Sequence, residues 1–332
     1  MNEEMISERH LLKKAIHKGE FWKPCPGTID EYLCCGYQII TPLTGCGMYC
    51  SYCILQAYFD HQHQTWYENL DDLEREVHEK MARHTSGVVR FGTGEFGDSL
   101  FQENRLGLSR RVASVLDRYE NVLVEFKTKS TNVRTLDQIE NPRKVVIGFS
   151  LNTDEMVERL EKGTAPIKKR LEAACLCEKM GFNVAFHFDP MVWYRDWETD
   201  YRRVVSMIYD HIRDPEKIIW CSIGGFRTMP ALKARLRNRR EHLPLFAGEM
   251  ITAADGKLRY PRPLRTAFYR AMDEEFRKYH PDVTLYMCME SREVWESSGM
   301  VNRIPRGLVC YLDDRARTVL GLPEKTSEKG AI

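Results

Sequence analysis

Residues 144–189 read KVVIGFSLNTDEMVERLEKGTAPIKKRLEAACLCEKMGFNVAFHFD, and this stretch decides the fold. It begins and ends on runs of strand length, Lys144–Ser150 and Asn183–Asp189, that are almost continuously apolar. Strands buried on both faces read this way, whereas a strand with one wet face alternates. Between them Ile167–Met180 carries a helical pattern, and Gly181 stands where a helix C-cap belongs. Strand, helix and strand in this order make a parallel β/α unit. The rhythm extends both ways. Further strand candidates are Gly36–Pro42, Gly87–Gly92, Leu123–Lys129 and Lys217–Ile223, and helical patterns cover Leu70–His84, Leu108–Tyr119 and Glu198–Ile212. No G-x-G-x-x-G follows the first strand, so a dinucleotide-binding sheet is disfavoured and a partial (β/α)6 barrel is expected. From about Arg227 prolines and basic residues become frequent. A helix at Leu264–His280 and a short strand at Thr284–Met289 read as a smaller C-terminal α+β appendage. The expected division is 1–35 as an N-terminal extension, 36–226 as the partial barrel and 227–332 as the appendage.

The chain has 332 residues, 43% of them hydrophobic, enough for one large α/β domain with an addition. A formal net charge of +1 gives no global pull towards nucleic acid or a membrane surface. The opening MNEEMISERHLLKKAIHKGE is charged and helical in style, with no signal-peptide core, and no long apolar run follows. A cytoplasmic protein with no membrane partner is expected. Eleven cysteines then point to ligation or redox work ahead of disulfides.

They cluster most tightly in Cys46-Gly-Met-Tyr-Cys50-Ser-Tyr-Cys53, just after the first strand candidate. Three thiolates on one loop suit a [4Fe–4S] cluster with one iron left open. In barrels, sites lie at the C-terminal ends of strands, where this loop falls. Zinc is the rival, with His61 or His63 as fourth ligand, and a closed electron-transfer cluster is another.

The spacing, with an aromatic (Tyr52) before the last cysteine, resembles the radical S-adenosylmethionine superfamily. The longer text resembles the spore photoproduct lyase family within it. The stretches that carry this are LTGCGMYCSYCILQAYF, GTGEFGDSL, FKTKS, FSLNTDEMVERLEKGTAPIKKRLEAA and YPRPLRTAFYRAMDEEFRKYHPDVTLY, in the same order from Phe21 to Glu296. The resemblance implies a radical-SAM barrel with Cys46, Cys50 and Cys53 on the cluster and S-adenosylmethionine on its open iron. It implies reductive cleavage to a 5′-deoxyadenosyl radical that abstracts hydrogen from a substrate, fed by an external one-electron reductant of flavodoxin or ferredoxin type. Gly92, Thr93, Gly94 and Glu95 match the motif that holds the cosubstrate's amino group, and Lys129 matches a lysine for its carboxylate, with Lys127 the alternative of equal strand parity. Ser150 and Asn152 match positions near the ribose, and Tyr52 falls beside the adenine or in the catalytic relay. Each has a plainer reading as a turn, a solvated lysine or a packing aromatic. Asp189, ending the fifth strand, suits substrate binding or a simple Asp-Pro turn.

The resemblance also has gaps. In the lyase, which splits a thymine dimer lesion in spore DNA, a cysteine near the end of the second strand donates hydrogen, and a tyrosine pair relays it. Here the cysteine position falls on Gly92. One tyrosine matches Tyr52, and the other falls on Ile54. The lesion-wedging Arg-Tyr hairpin would fall near Thr252–Lys257, which reads TAADGK. A relative with another substrate or quenching route is therefore expected, with lesion repair by a different donor, or a non-catalytic nucleic-acid-binding protein, as alternatives. Arg227–Arg265 holds ten Lys or Arg against three Asp or Glu. That excess suits phosphate contacts through Arg235, Arg237 and Arg239, or a solvated helix. Cys25, Cys34 and Cys35 read as structural or donor thiols ahead of an auxiliary cluster.

Overall fold

The computed structural model describes residues 11–61, 63–84, 87–237, 244–246 and 248–323. Its centre is an eight-stranded sheet. Seven strands run parallel and lie side by side in chain order: β1 (Gln38–Ile40), β2 (Val89–Gly92), β3 (Val122–Thr128), β4 (Val145–Ser150), β5 (Asn183–Met191), β6 (Ile218–Gly225) and β7 (Leu285–Met287). The eighth, Trp22–Pro24, pairs antiparallel with the outer edge of β1. The apolar runs do what continuous hydrophobicity demands: β6 is buried along its whole length and β4 in all but its last residue.

Helices cover the outer face. They are α1 (Leu70–Arg83), α2 (Leu108–Asp117), α3 (Ile167–Lys179), α4 (Trp197–His211), α5 (Arg262–Tyr279) and α6 (Leu308–Leu320). α1 buries Leu73, Val77 and Met81, its expected apolar stripe. α3 ends at Met180, and Gly181 takes φ +92° while Phe182 N–H reaches back to Cys177 O, closing the helix with a left-handed residue. The β3–β4 connection is made by 3₁₀ turns, Arg134–Gln138 and Pro142–Lys144.

Two expectations change. The strand read into the C-terminal appendage is β7, which continues the barrel sheet beside β6, and α5 packs on the barrel through Phe188–Phe276 and Trp197–Phe268 ring contacts. The helical reading of the N-terminus fails over Leu12–Ala15. This is a strand pairing with Gln64–Tyr67, on which Leu43–Thr44 also pairs. A short charged edge strand has too few apolar residues to show a period. The residues before Leu11 lie outside the described ones. Among the described residues no helix is long and apolar enough to cross a membrane.

Candidate active site

The cysteine loop leaves the end of β1 and is fastened before any ligand is considered. Tyr49–Cys50 forms a two-residue antiparallel ladder with Glu161–Lys162, and Ser51 N–H donates to Leu160 O at 2.7 Å. Gln56 Nε2 donates to Cys50 O at 2.9 Å, and the Tyr52 hydroxyl donates to Glu161. At its start Gly45 takes φ +79° and donates to Phe96 O. A Cβ on Gly45 would stand 2.5 Å from His63 O, and one on Gly97 would stand 2.7 Å from Gly45 O. Glycine at both places lets the loop lie directly on the turn after β2.

Cys46, Cys50 and Cys53 face one cavity of about 300 Å³ at the C-terminal ends of the strands. Burial pushes the Cys46 thiol well up and Cys50 to about 12, where Glu161 raises it further and Lys129 opposes. Thiolates here therefore need a cationic partner, which a bound iron cluster would supply. Among the described residues no group of three or more His, Cys, Asp or Glu is spaced for a metal ion. Neither Cys46, Cys50 and Cys53 with His61 or His63 nor Cys25, Cys34 and Cys35 are drawn together at single-ion spacing. Thiolates on separate irons of a cube stand further apart than ligands of one tetrahedral ion, so the donor type and common cavity fit a cluster.

Glu95 and Lys129 line the same cavity. Glu95 makes no hydrogen bond or ion pair among the described residues. Lys129 is anchored by its backbone, its N–H donating to Asp98 Oδ2 at 2.8 Å, while its ammonium lies 5.7 Å from the centre of the Tyr52 ring. Burial works against the Lys129 charge, but Glu161 and Cys50 outweigh it and raise its pKa. A carboxylate and an ammonium beside three thiols complement an amino-acid zwitterion.

Tyr52, Gly94 and Ser150 also line the cavity, so eight of the residues singled out above meet there. Gly92, Thr93 and Asn152 do not. Gly92 lies under the Tyr37 ring, and Thr93 is buried with its hydroxyl on Ser99 Oγ. Asn152 turns inward, donating to Glu161 and Pro190 O and accepting from Tyr201. Its backbone lies past the end of β4, where strand parity no longer sets side-chain direction. Asp189 does line the cavity, but Arg227 holds both its oxygens, at 3.1 and 2.9 Å.

Sequence reading missed the support beneath. Glu161 is fully buried, held by Arg170 at 2.6 Å, and Arg170 also donates to Ser150 O and Ala165 O. Asp98 accepts from Thr128 Oγ1 and from the backbone of Leu100, Phe101 and Lys129, and burial raises its pKa. The only signal was their presence inside GTGEFGDSL and RLEKGTAPIKKR, stretches that carry the family resemblance.

Three arginines of the basic stretch are turned to internal partners. Arg227 is committed to Asp189, Arg259 to Asp255 and Met289 O, and Arg265 to Glu290. A hairpin does stand at the expected place, Ile251–Thr252 with Leu258–Arg259, but a small turn forms its tip, and Lys257 lines the cavity. Nothing is described of the side chains of Arg235 and Arg237, and Arg239 lies outside the described residues.

A family model described as spore photoproduct lyase matches residues 34–224, more than half of the chain. The spore photoproduct lyase of Bacillus subtilis (strain 168) is 26% identical over 166 residues, covering 50% of this chain and 48% of that protein. That of Clostridium acetobutylicum is 22% identical over 175 residues, 52% of each. The chain thus spans about half the length of the curated relatives it matches. A spore photoproduct lyase variant solved with dinucleoside spore photoproduct superposes with a TM-score of 0.74 at 18% identity, over 83% of this chain and 81% of that one. Another, with bound AdoMet and dinucleoside spore photoproduct, gives 0.73 over the same shares. At that identity the likeness is one of fold, a partial radical-SAM barrel. By its family model and its matched relatives, the chain belongs to the spore photoproduct lyase family.

Proposed function

We propose that the protein is a radical S-adenosylmethionine enzyme acting on a substrate other than the spore lesion. One observation carries the reading: three cluster-type thiols, the unengaged Glu95 carboxylate and the Lys129 ammonium beside Cys50 share a single cavity. A [4Fe–4S] cluster on Cys46, Cys50 and Cys53 would supply reductive cleavage of the cosubstrate to a 5′-deoxyadenosyl radical, with an external flavodoxin- or ferredoxin-type reductant. Glu95 accepts from the cosubstrate ammonium, Lys129 donates to its carboxylate, and Ser150 reaches its ribose. Tyr52, pinned by Glu161, holds the loop and offers its ring face.

Anaerobic incubation of the reconstituted protein with dithionite and S-adenosylmethionine is expected to give 5′-deoxyadenosine. Yield no higher than that of Cys50→Ala refutes the reading.

The second reading is lesion repair, favoured by the family. Gly92 without a side chain, Ile54 in the cavity wall and the small hairpin tip weigh against it. Turnover of dinucleoside spore photoproduct decides between the two: efficient conversion to thymidines would overturn our preference. A nucleic-acid fragment remains the substrate class that the family favours.

A further inference from the structure

Beyond the cosubstrate end, the cavity floor is a row of polar residues at one level of four adjacent strands. Ser150 on β4 pairs with His187 on β5, His187 with Ser222 on β6, and Ser222 with Tyr286 on β7, and all four line the cavity. Behind them Glu125 on β3 accepts from the Tyr37 hydroxyl, from His187 Nε2 at 2.5 Å and from Trp220 Nε1 at 3.3 Å. His187 Nδ1 meets Ser222 Oγ at 2.6 Å. The space for this network is made by missing side chains. A Cβ on Gly148 would stand 2.5 Å from Glu125 Oε1 and 2.8 Å from His187 Nε2, and one on Gly92 would stand 2.3 Å from Cε1 of Tyr37.

Acceptors and donors on this side do not balance. Both carboxylates are taken, Glu125 by three donors and Asp189 by Arg227. Two donors are left over. The Lys127 ammonium lies 4.8 Å from the centre of the Tyr37 ring and has no hydrogen bond to an acceptor among the described residues. Tyr286 is 5% exposed, lines the cavity and gives its hydroxyl no partner there. Both donors keep their protons. Burial pushes the Tyr286 phenol well up, and for Lys127 Glu125 and Glu95 outweigh the burial that works against its charge. Both donors open onto the cavity without a protein acceptor, so a ligand seated beside them gains most by bringing acceptors and, next to an ammonium, negative charge. A cationic group finds no free carboxylate on this side, since the remaining one, Glu95, goes to the cosubstrate ammonium.

We propose that Lys127 and Tyr286, with Ser222 beside them, form an oxyanion subsite that holds a carboxylate or phosphoryl group of the substrate. The subsite rests on the cosubstrate reading, because that reading gives Lys129 and Glu95 to S-adenosylmethionine and leaves Lys127 free. Substrate thereby lies across the cavity from the cysteine loop, with the cosubstrate between.

The test uses the cluster-reconstituted protein with S-adenosylmethionine, kept anaerobic. Inorganic phosphate and acetate are titrated calorimetrically at constant ionic strength, with chloride as the blank. Iron content checks that each variant is intact. Saturable binding of at least one anion is expected, weakened at least tenfold in Lys127→Gln and in the near-isosteric Tyr286→Phe. Phosphate binding alone identifies a phosphoryl source, and acetate binding alone a carboxylate source. Absence of saturable binding, or equal binding by wild type and both variants, overturns the subsite. S-adenosylmethionine affinity separates the two ideas. If Lys129→Gln loses more of it than Lys127→Gln, the cosubstrate reading stands whatever the anions do. The opposite order reverses the roles of the two lysines and removes both.

Discussion

Glu125 carries its charge inside the sheet because both of its oxygens accept, from Tyr37, His187 and Trp220. Burial alone would raise its carboxyl, but His187, Lys127 and Tyr37 outweigh it and bring the group from 4.5 to about 2. A depressed folded value means that the contribution is complete above pH 4.5 and is lost as pH falls from there towards 2. Its size is on the order of 3 kcal/mol. Urea unfolding of wild type and Glu125→Gln is therefore expected to differ most at pH 7 and to converge only as pH approaches about 2. A gap independent of pH would show that the charge does not matter. At this scale the cysteines were legible, because their spacing is local. Glu95, Lys129 and Ser150 were singled out through the motifs of the family resemblance, and one cavity brings them together. Glu125 and His187 were not: their partnership spans 62 residues and joins β3 to β5 across the glycine at 148. Asn152, two residues past β4, spends its side chain on Glu161, Pro190 and Tyr201.

Among elements, the smallest has the largest say over the site. Glu161–Lys162 is two residues long, yet its ladder sets Cys50 and its side chain holds Tyr52. Arg170, on α3, makes that arrangement tenable by pairing with the buried Glu161. Arg170→Leu is expected to cost about 3–5 kcal/mol, since it leaves an uncompensated carboxylate in the interior. The double variant Arg170→Leu/Glu161→Leu should recover part of that loss. Urea melts measure both, and retained iron after desalting reports whether the loop still holds its cargo. A single variant as stable as wild type would mean that Glu161 has found water. Long amphipathic helices declared themselves through their period, as α1 did. A two-residue strand is shorter than any period, and the three residues of β7 hardly exceed one.

For the whole molecule, β1 and β7 are not paired, and the sheet stays open among the described residues. The gap is crossed by the segment before β1, where Leu33 N–H donates to Glu290 O at 3.0 Å. Arg90 on β2 ties the same segment to α6, donating to Cys35 O and, at 2.8 Å, to Asp313. Arg90 is 3% exposed, so Arg90→Met removes both ties from a buried position and is expected to cost about 2–3 kcal/mol. The urea midpoint checks it, and an unchanged midpoint would show that the ties are incidental. The β/α rhythm revealed the architecture in the sequence, but the strand count fell one short. A closing strand followed by a crossing segment carries no repeat to count.

The fastenings of the cysteine loop have a consequence for the life of the enzyme in air. Its ladder to Glu161–Lys162, the Ser51 and Gln56 bonds and the Gly45–Gly97 contact all act through backbone or amide groups. None of them uses a sulfur. Loss of the proposed cluster to oxygen would therefore empty a socket and leave the scaffold standing. Reloading with iron and sulfide would then require no refolding.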